Sequence, residues 1–188
     1  MQRIRILVLP GLDNSGPLHW QSIWEAKQPF ANSVVERMEH SNWTEPQFDT
    51  WMAELDAVLG KDMLRPTVLV AHSLGCLNAI HRLKYSGCVK AALLVAPANP
   101  QRPGFPERVK GFTLPSEKLH FLSTLVASEN DPYASLEFSQ SLARTLGSKF
   151  INIGPFGHVN GESGLGDWKF GQDLVHELLA TLPKTSFL

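Results

Sequence analysis

Residues 67–80 read TVLVAHSLGCLNAI, and the hydrophobic pattern of this stretch changes at Ser73. The residues before the serine form an apolar, β-branched run of strand length. After the serine, apolar residues recur at helical spacing, at Leu74, Leu77 and Ile80. The pattern therefore predicts a strand that ends, and a helix that begins, within about two residues of Ser73.

Small residues flank this serine where a sharp turn needs them. Ala71 and Gly75 stand two positions before and after Ser73, and they leave room for the backbone to reverse. The pattern is the A-x-S-x-G variant of the G-x-S-x-G nucleophile elbow, which raises the serine hydroxyl above the edge of a sheet. The N–H groups that begin the following helix point at the same place. The alternative is a serine that caps an ordinary helix after an ordinary strand.

Composition limits the classes of protein to consider. The chain has 188 residues, of which 43% are hydrophobic and 19% charged, so we expect one globular domain over residues 1–188. A net charge of −1 offers no basic field for nucleic acid. The chain shows neither an export signal nor the roughly 18 consecutive apolar residues of a membrane span, so we expect a cytoplasmic protein with no membrane partner. Cys76 and Cys88 could pair, but buried thiols are the commoner case in such a chain.

Strand and helix patterns alternate along the chain. The predicted strands cover 4–9, 34–38, the run before Ser73, 91–96, 121–127 and 149–153. The predicted helices cover 19–28, a segment capped by Thr44 and closed by Gly60, a segment after Ser73 that ends near Gly87, 131–146 and 167–182. This alternation predicts an α/β fold with a mostly parallel sheet of about six strands and helices on both faces. The long irregular segment from Pro97 to Lys118 is typical of a functional cover or binding loop.

An acid and a base for Ser73 are expected at later strand ends, because ligands bind beyond the carboxyl ends of the strands in such sheets. Asp131 follows the 121–127 strand. His158 follows the last strand, in a loop whose glycines allow it to return over the serine. The chain order Ser, Asp, His is that of α/β-hydrolases. Asp131 could instead, or also, cap the next helix, and His158 could be a loop histidine without a role.

An oxyanion hole is the remaining requirement of acyl transfer, since a tetrahedral intermediate carries negative charge on the former carbonyl oxygen. We expect one donor at the backbone N–H of Leu74, directly after the serine. The second is expected at the N–H of Leu12, where Gly11 allows a close backbone approach. The alternative is that residues 13–16 form a plain polar turn.

The other histidines suggest no chemistry of their own. His72 adjoins the serine, but its side chain is expected to point the other way and to support the site indirectly. Five more lack partners at a telling spacing and are expected mostly on the surface: His19, His40, His81, His120 and His176. Neither a zinc spacing nor a nucleotide-binding glycine motif is present, so we expect no metal and no cofactor.

With these residues in hand, the chain resembles the small single-domain serine hydrolases of the α/β-hydrolase superfamily, typified by retinoblastoma-binding protein nine and the YdeN-like bacterial esterases. The motifs that carry the resemblance are the Pro-Gly loop leading to His19-Trp20, the elbow at 72–75, the turn at 131–133 and the loop at 157–158. The resemblance implies an α/β-hydrolase fold with no separate cap domain and a triad of Ser73, Asp131 and His158. It does not supply a substrate. The retinoblastoma-binding motif L-x-C-x-E is not matched, because residues 74–78 end in Asn78.

These observations together predict a serine esterase that cleaves small acyl esters through an acyl-enzyme intermediate. Three loops are expected to select the small-molecule substrate: Asn14 to Trp20, Pro97 to Lys118 and Phe156 to Gly166. One alternative is a catalytically idle binding protein of the same fold. Another is a non-hydrolytic relative, such as a perhydrolase.

Overall fold

The computed structural model describes residues 3–81 and 87–182, in which strands and helices alternate as predicted. The strands are β1 (Ile4–Leu9), β2 (Ser33–Arg37), β3 (Thr67–His72), β4 (Val89–Val95), β5 (Leu122–Ala127) and β6 (Lys149–Asn152). The α-helices are α1 (Trp20–Lys27), α2 (Phe48–Gly60), α3 (Leu74–Ile80), α4 (Leu136–Leu146) and α5 (Lys169–Ala180). A short 3₁₀-helix covers Gly161–Ser163. The predicted end of the elbow helix near Gly87 involves residues 82–86, which lie outside the described part.

The six strands form one sheet in the order β2-β1-β3-β4-β5-β6, and every neighbouring pair is parallel. The chain runs from β1 out to the edge strand β2, returns to β3, and then proceeds to the other edge. The carboxyl ends of all six strands consequently lie at one edge of the sheet. This architecture confirms the predicted parallel α/β sheet.

Helices cover both faces of the sheet because the inner strands are apolar on both sides. Side chains of α1 and α5 pack on one face against residues such as Ile6 and Val8. Side chains of α2, α3 and α4 pack on the other face against residues such as Leu7 and Leu9. All five described α-helices therefore pack on one sheet, and no separate cap domain occurs among the described residues.

Two predicted helix starts are wrong. Helix α2 begins at Phe48 and not after Thr44, because the Asn42 side chain accepts hydrogen bonds from the N–H groups of Thr44 and Glu45 and holds them in a turn. Gln47 is then extended and forms a β-bridge with Lys110. This local turn and the long-range bridge to Lys110 delay the helix beyond the point at which the capping signal of Thr44 places it.

Helix α4 begins at Leu136 and not at Asp131. The Ser135 hydroxyl caps it by accepting a hydrogen bond from the N–H of Phe138 at 3.1 Å. Asp131 consequently does not cap this helix, so the structural alternative for that residue is wrong. The shorter α4 leaves Asp131 in the loop that follows β5.

Two further points raised by the sequence concern the cysteines and membrane-spanning helices. Cys76 and Cys88 are both buried and are not joined in a disulfide. Within the described ranges, no helix combines the length and apolar character needed to cross a membrane.

Candidate active site

Ser73 occupies the turn between β3 and α3 in a strained backbone conformation. Its φ of 53° and ψ of −121° lie in a sparsely populated region for a residue with a side chain, at a cost of about 1–3 kcal/mol. The turn is held by the N–H of Ser73, which donates to the carbonyl of Val95 at 3.0 Å, and by the N–H of Cys76, which donates to the carbonyl of Ser73 at 3.1 Å. Neighbouring parts of the fold therefore maintain the conformation of the serine.

Two glycines explain how the backbone passes so closely around Ser73. A Cβ atom on Gly75 would lie 2.3 Å from the carbonyl oxygen of Leu9, so only glycine lets α3 start against the end of β1. A Cβ atom on Gly11 would lie 2.8 Å from the Cβ of Ser73. The small residue predicted at position 75 and the close approach predicted at Gly11 are both present.

A continuous chain of hydrogen bonds joins Ser73, His158 and Asp131. The Nδ1 atom of His158 lies 2.9 Å from each carboxylate oxygen of Asp131, and its Nε2 atom lies 2.8 Å from Oγ of Ser73. An ionised carboxylate only accepts hydrogen bonds, so Nδ1–H donates to Asp131 and Nε2 is left to accept the Ser73 hydroxyl proton. The arrangement can thus draw the proton from Ser73 while Asp131 holds the ring.

Asp131 reaches this position through a turn rather than a helix. Its Oδ1 atom also accepts a hydrogen bond from the N–H of Tyr133 at 2.8 Å, which closes the loop after β5. The side chains of Asp131 and His158 are only 2% and 8% exposed. These hydrogen-bonded groups are therefore shielded from water, which strengthens the electrostatic interaction between them.

The loops that carry Asp131 and His158 are bound to each other. Oδ1 of Asn130 accepts a hydrogen bond from the N–H of Gly157 at 2.7 Å. The hydroxyl of Ser128 donates to that same Oδ1 and accepts from the N–H of Phe156 at 2.9 Å. These contacts join the end of β5 to the loop after β6, so His158 and Asp131 are positioned as a unit.

His72 supports the site through His158, as expected, although its ring does not point away. The Nε2 atom of His72 lies 2.9 Å from the carbonyl oxygen of His158, and the two ring centroids are 4.8 Å apart. Burial lowers the pKa of His72 well below its ordinary value, so the ring is neutral near pH 7 and Nε2–H donates to that carbonyl. His72 thereby fixes the backbone of the loop that presents His158.

The expectation that the remaining histidines lie mostly on the surface is wrong for His19 and His40, which are 5% and 6% exposed. His19 caps α1, where its Nδ1 atom accepts a hydrogen bond from the N–H of Gln21, and its ring centroid lies 4.7 Å from that of His72. Burial, aided by the positive charge of Arg37, lowers the pKa of His19 to about 3. The His19-Trp20 pair in the resemblance was the only sequence signal for this placement.

A cleft of about 660 Å³ opens over Ser73, a volume suited to a small molecule. All three loops predicted to select substrate contribute to its lining. Its apolar lining includes Leu12, Leu18, Phe105 and Val109, and its charged lining includes Asp13, Arg102, Arg108 and Glu162. The cleft therefore combines an apolar surface with a few charged groups, all close to the serine.

The N–H groups of Leu12 and Leu74 are available within this cleft. Residues 11–14 form a turn in which the N–H of Asn14 donates to the carbonyl of Gly11 at 3.2 Å, two residues earlier than the polar turn considered for residues 13–16. That turn leaves the N–H of Leu12 without an acceptor among the described residues, and the same holds for Leu74 at the start of α3. Both residues line the cleft beside Ser73.

Metal ligands are not clustered in the described part of the chain. Across residues 3–81 and 87–182, no three side chains of the types His, Cys, Asp or Glu are close enough to hold an ion together.

Comparison with known proteins gives the family and the fold of this chain. A family model described as serine hydrolase matches residues 6–177. A protein described as a YdeN-like hydrolase, from Pectobacterium atrosepticum, superposes with a TM-score of 0.80 at 29% sequence identity, over 94% of this chain and 90% of that one. Comparison with curated protein sequences returns no match.

More distant structures share the architecture. The ydeN gene product of Bacillus subtilis superposes with a TM-score of 0.74 at 19% identity, over 95% of this chain and 100% of that one. The carboxylesterase CesB from Bacillus subtilis superposes with a TM-score of 0.67 at 10% identity, over 94% of this chain and 84% of that one. At such identities the likeness shows a common fold alone.

Proposed function

The chain belongs to the serine hydrolase family, and on that premise we propose that it hydrolyses small carboxylic esters with Ser73 as nucleophile. The observation that carries the proposal is the unbroken hydrogen-bond chain from Ser73 Oγ through His158 to Asp131 at the floor of a cleft. The α/β-hydrolase fold places these groups at the carboxyl ends of β3, β5 and β6. Hydrogen-bond reach between a nucleophile, its base and an orienting carboxylate is the arrangement that acyl transfer requires.

In the first half of the reaction, Ser73 Oγ attacks the ester carbonyl carbon while its proton moves to Nε2 of His158. Asp131 keeps the ring oriented and stabilises the imidazolium through the Nδ1–H hydrogen bond. His158 then gives the proton to the departing alcohol oxygen, and the acyl group stays on Ser73. The alcohol leaves and the acyl-enzyme remains.

The tetrahedral intermediates need donors for their negatively charged oxygen, and we assign this role to the N–H groups of Leu12 and Leu74. Both groups line the cleft without an acceptor among the described residues. Such preorganised donors lower the barrier because they need no reorganisation when charge develops. In the second half of the reaction, water attacks the acyl carbonyl while its proton moves to Nε2 of His158. His158 then gives this proton to Oγ of Ser73 as the acyl–oxygen bond breaks, which releases the carboxylic acid and restores the serine hydroxyl.

We propose an ester as the substrate because the triad geometry suits acyl transfer, and one protein that shares this fold is named as a carboxylesterase. Cleft size is compatible with a small substrate, because about 660 Å³ lies within the range of small-molecule sites, and no separate cap domain among the described residues extends the cleft. We therefore expect turnover to fall as the acyl chain lengthens.

The test is hydrolysis of p-nitrophenyl esters from acetate to long-chain acids, together with labelling by a fluorophosphonate probe. Ser73→Ala should lower kcat on the order of 10⁶-fold and abolish labelling. Ser141→Ala, at an exposed serine of α4 outside the cleft, is the matched control and should stay within about twofold of the unmodified protein. An unmodified protein that neither hydrolyses any ester nor labels would overturn the proposal and favour an idle binding protein. Peroxide-dependent product formation would favour a perhydrolase.

A further inference from the structure

Two guanidinium groups line the cleft, and their surroundings differ. Arg108 donates to both carboxylate oxygens of Asp13, at 2.9 and 2.7 Å, and also to the carbonyl of Thr44. This hydrogen-bonded pairing raises the pKa of Arg108 and lowers that of Asp13, so the two charges are satisfied by each other. Arg102, in contrast, has no carboxylate partner within residues 3–81 and 87–182.

Arg102 lies close to the reacting groups. Its guanidinium carbon is 5.1 Å from the ring centroid of Tyr133. The Tyr133 ring in turn meets the His158 ring at 4.5 Å in an edge-to-face contact. One aromatic ring therefore separates the guanidinium group from the imidazole that contacts Ser73.

Most of the hydrogen-bonding capacity of Arg102 is unused. One N–H group donates to the carbonyl of Pro103 at 3.1 Å, and the guanidinium has five N–H groups in total. The guanidinium group lies over the Tyr133 ring, and its other N–H groups have no acceptor among the described residues, so they remain available to a carboxylate. Arg102 is only partly exposed, so an anion bound there is partly shielded from water.

The backbone holds Arg102 in register with the site. The N–H of Ala98 donates to the carbonyl of Ser73, and the N–H of Asn99 donates to the carbonyl of Tyr133. The N–H of Arg102 then donates to the carbonyl of Asn99 at 3.3 Å. The position of this arginine is thus coupled to the loops that carry Ser73 and Tyr133, unlike that of a cation on an independent surface loop.

Glu162 also lines the cleft without a charged partner among the residues that the structure describes, and it lies on a different wall. Glu162 is exposed and directly follows Gly161. Gly161 lies beside His19, since a Cβ atom added to this glycine would be 3.5 Å from the backbone nitrogen of His19. Arg102 lies on the Tyr133 side instead. Between these walls the lining includes apolar side chains such as Leu12 and Phe105. The cleft therefore favours a ligand with an apolar part and a single anionic group directed at Arg102.

We propose that Arg102 binds a carboxylate of the substrate, so that the preferred substrates are small esters that carry a carboxylate near the scissile bond. This inference rests on the proposed ester hydrolysis. It goes further by assigning the charge of the substrate and the residue that recognises it.

The test compares esters that differ only in charge. In 4-acetoxybenzoate and 4-acetoxybenzamide the carboxylate and its neutral isostere are in the alcohol part, whereas in methyl hydrogen glutarate and methyl glutaramate they are in the acyl part. We expect kcat/KM to favour the charged member of at least one pair by about tenfold, the scale of a charge-assisted hydrogen bond at a half-buried site. The favoured pair identifies which part of the ester faces Arg102.

The Arg102→Gln variant should remove this preference through a higher KM for the charged ester, with kcat and the neutral ester changed by less than about twofold. Arg102→Lys keeps the charge without the planar fork and should fall between the two. Arg144→Gln removes one exposed positive charge from α4 and is the matched control, expected to keep the full preference. Equal charged-to-neutral ratios in the unmodified protein and in Arg102→Gln would overturn the inference.

A binding measurement separates this inference from the hydrolase proposal. Calorimetric titration with 4-hydroxybenzoate and with glutarate needs no turnover, and the unmodified protein should bind one of them at least about tenfold more tightly than Arg102→Gln does. Binding that depends on Arg102 without ester hydrolysis would overturn the hydrolase proposal alone. Hydrolysis of neutral esters without Arg102-dependent binding would overturn the substrate assignment alone.

Discussion

Two imidazole–carboxylate pairs in this molecule are built alike and differ in what lies beyond the ring. Nδ1 of His158 faces Asp131 at 2.9 Å, and Nδ1 of His40 faces Glu54 at 2.5 Å. On the other side of each ring, Nε2 accepts a hydrogen bond from a neighbour. The neighbour of His158 is the Ser73 hydroxyl at 2.8 Å, and that of His40 is the Asn78 amide at 3.2 Å.

The surroundings of the two pairs also differ. His158 lines the cleft, whereas His40 lies under α2 with its ring stacked on Trp51 at a centroid distance of 4.0 Å. Burial lowers the pKa of His40, and the Glu54 carboxylate opposes this effect. The Asn78 amide is no nucleophile, and its Oδ1 atom is buried without a hydrogen-bond partner in the described structure.

The comparison shows that an oriented imidazole is not by itself a catalytic device. The pair at His158 can activate a hydroxyl that a substrate reaches, whereas the same pair at His40 can only stabilise the packing of α2 against α3. Matched substitutions in the two pairs therefore test whether chemistry and stability are divided in this way.

The largest expected effect is on activity when the imidazole of the proposed triad is removed. His158→Ala should lower kcat for a p-nitrophenyl ester by roughly 10⁵–10⁶-fold, because Ser73 then has no general base. His40→Ala, assayed at a temperature where it remains folded, should keep kcat within about fivefold, since its ring contacts no cleft group. Comparable losses in both variants would abolish the distinction between the two pairs.

Substitutions of the two carboxylates, Asp131 and Glu54, should differ in the same way: only the change at Asp131 should lower kcat strongly. Asp131→Asn should lower kcat by about 10⁴-fold, since an amide no longer fixes the tautomer or stabilises the imidazolium. Glu54→Gln should leave ester hydrolysis within about twofold, because Glu54 contacts His40 and Ser41 and no cleft residue. Steady-state kinetics of the two variants measure these changes in kcat. An Asp131→Asn enzyme with more than a few per cent of the original kcat contradicts the proposed role.

His40→Ala, which should affect activity little, should have a large effect on the free energy of unfolding. His40→Ala removes the ring stacked on Trp51 and leaves Glu54 and Asn78 without their shared partner, so the free energy of unfolding should fall by about 2–4 kcal/mol. His120→Ala, at an exposed position, is the control and should change it by less than about 0.5 kcal/mol. Urea denaturation measures both. A loss below about 1 kcal/mol for His40→Ala argues against a stabilising role.

A smaller effect, on pH dependence, extends the comparison to a histidine that lacks a carboxylate. The pKa of His19 is lowered from 6.5 to about 3, so between these values the unfolded chain binds a proton that the native protein excludes. The free energy of unfolding should consequently fall as the pH falls, by up to about 1.4 kcal/mol per pH unit from this residue.

The His19→Asn variant tests that dependence, because asparagine retains the capping of α1 and cannot be protonated. Its unfolding free energy should decline less steeply than that of the unmodified protein between about pH 6 and pH 4. Urea denaturation across this range provides the measurement. Parallel slopes for the two proteins would show that His19 does not contribute to the loss of stability in acid.

Local patterns were enough to predict the strands and most helices. Apolar runs and 3.6-residue spacing depend only on nearby residues, and the pattern around Ser73 correctly placed the end of β3 and the start of α3. The start of α4 was mispredicted because two local capping signals, Asp131 and Ser135, compete within five residues. Asp131 is engaged by His158, and the helix begins after Ser135.

Charged and polar side chains were predicted less well, because their partners lie far away in the chain. His40 carries no local sign that Glu54 and Asn78 will surround it. The difference between Arg102 and Arg108 is equally absent from the local sequence, because Asp13, which pairs with Arg108, is 95 residues away. Such pairings depend on how separate elements pack.

The sequence by itself determined the parallel α/β architecture and the strand–turn–helix at Ser73. Each of these follows from the steric and hydrophobic preferences of neighbouring residues. Only the tertiary structure decided that His158 meets Ser73 across 85 residues, that His19 and His72 are buried beside them, and that Arg102 is left unpaired within the described structure. The physical reason is that hydrogen bonds and ion pairs act over a few ångströms, so they are fixed only when packing brings distant segments together.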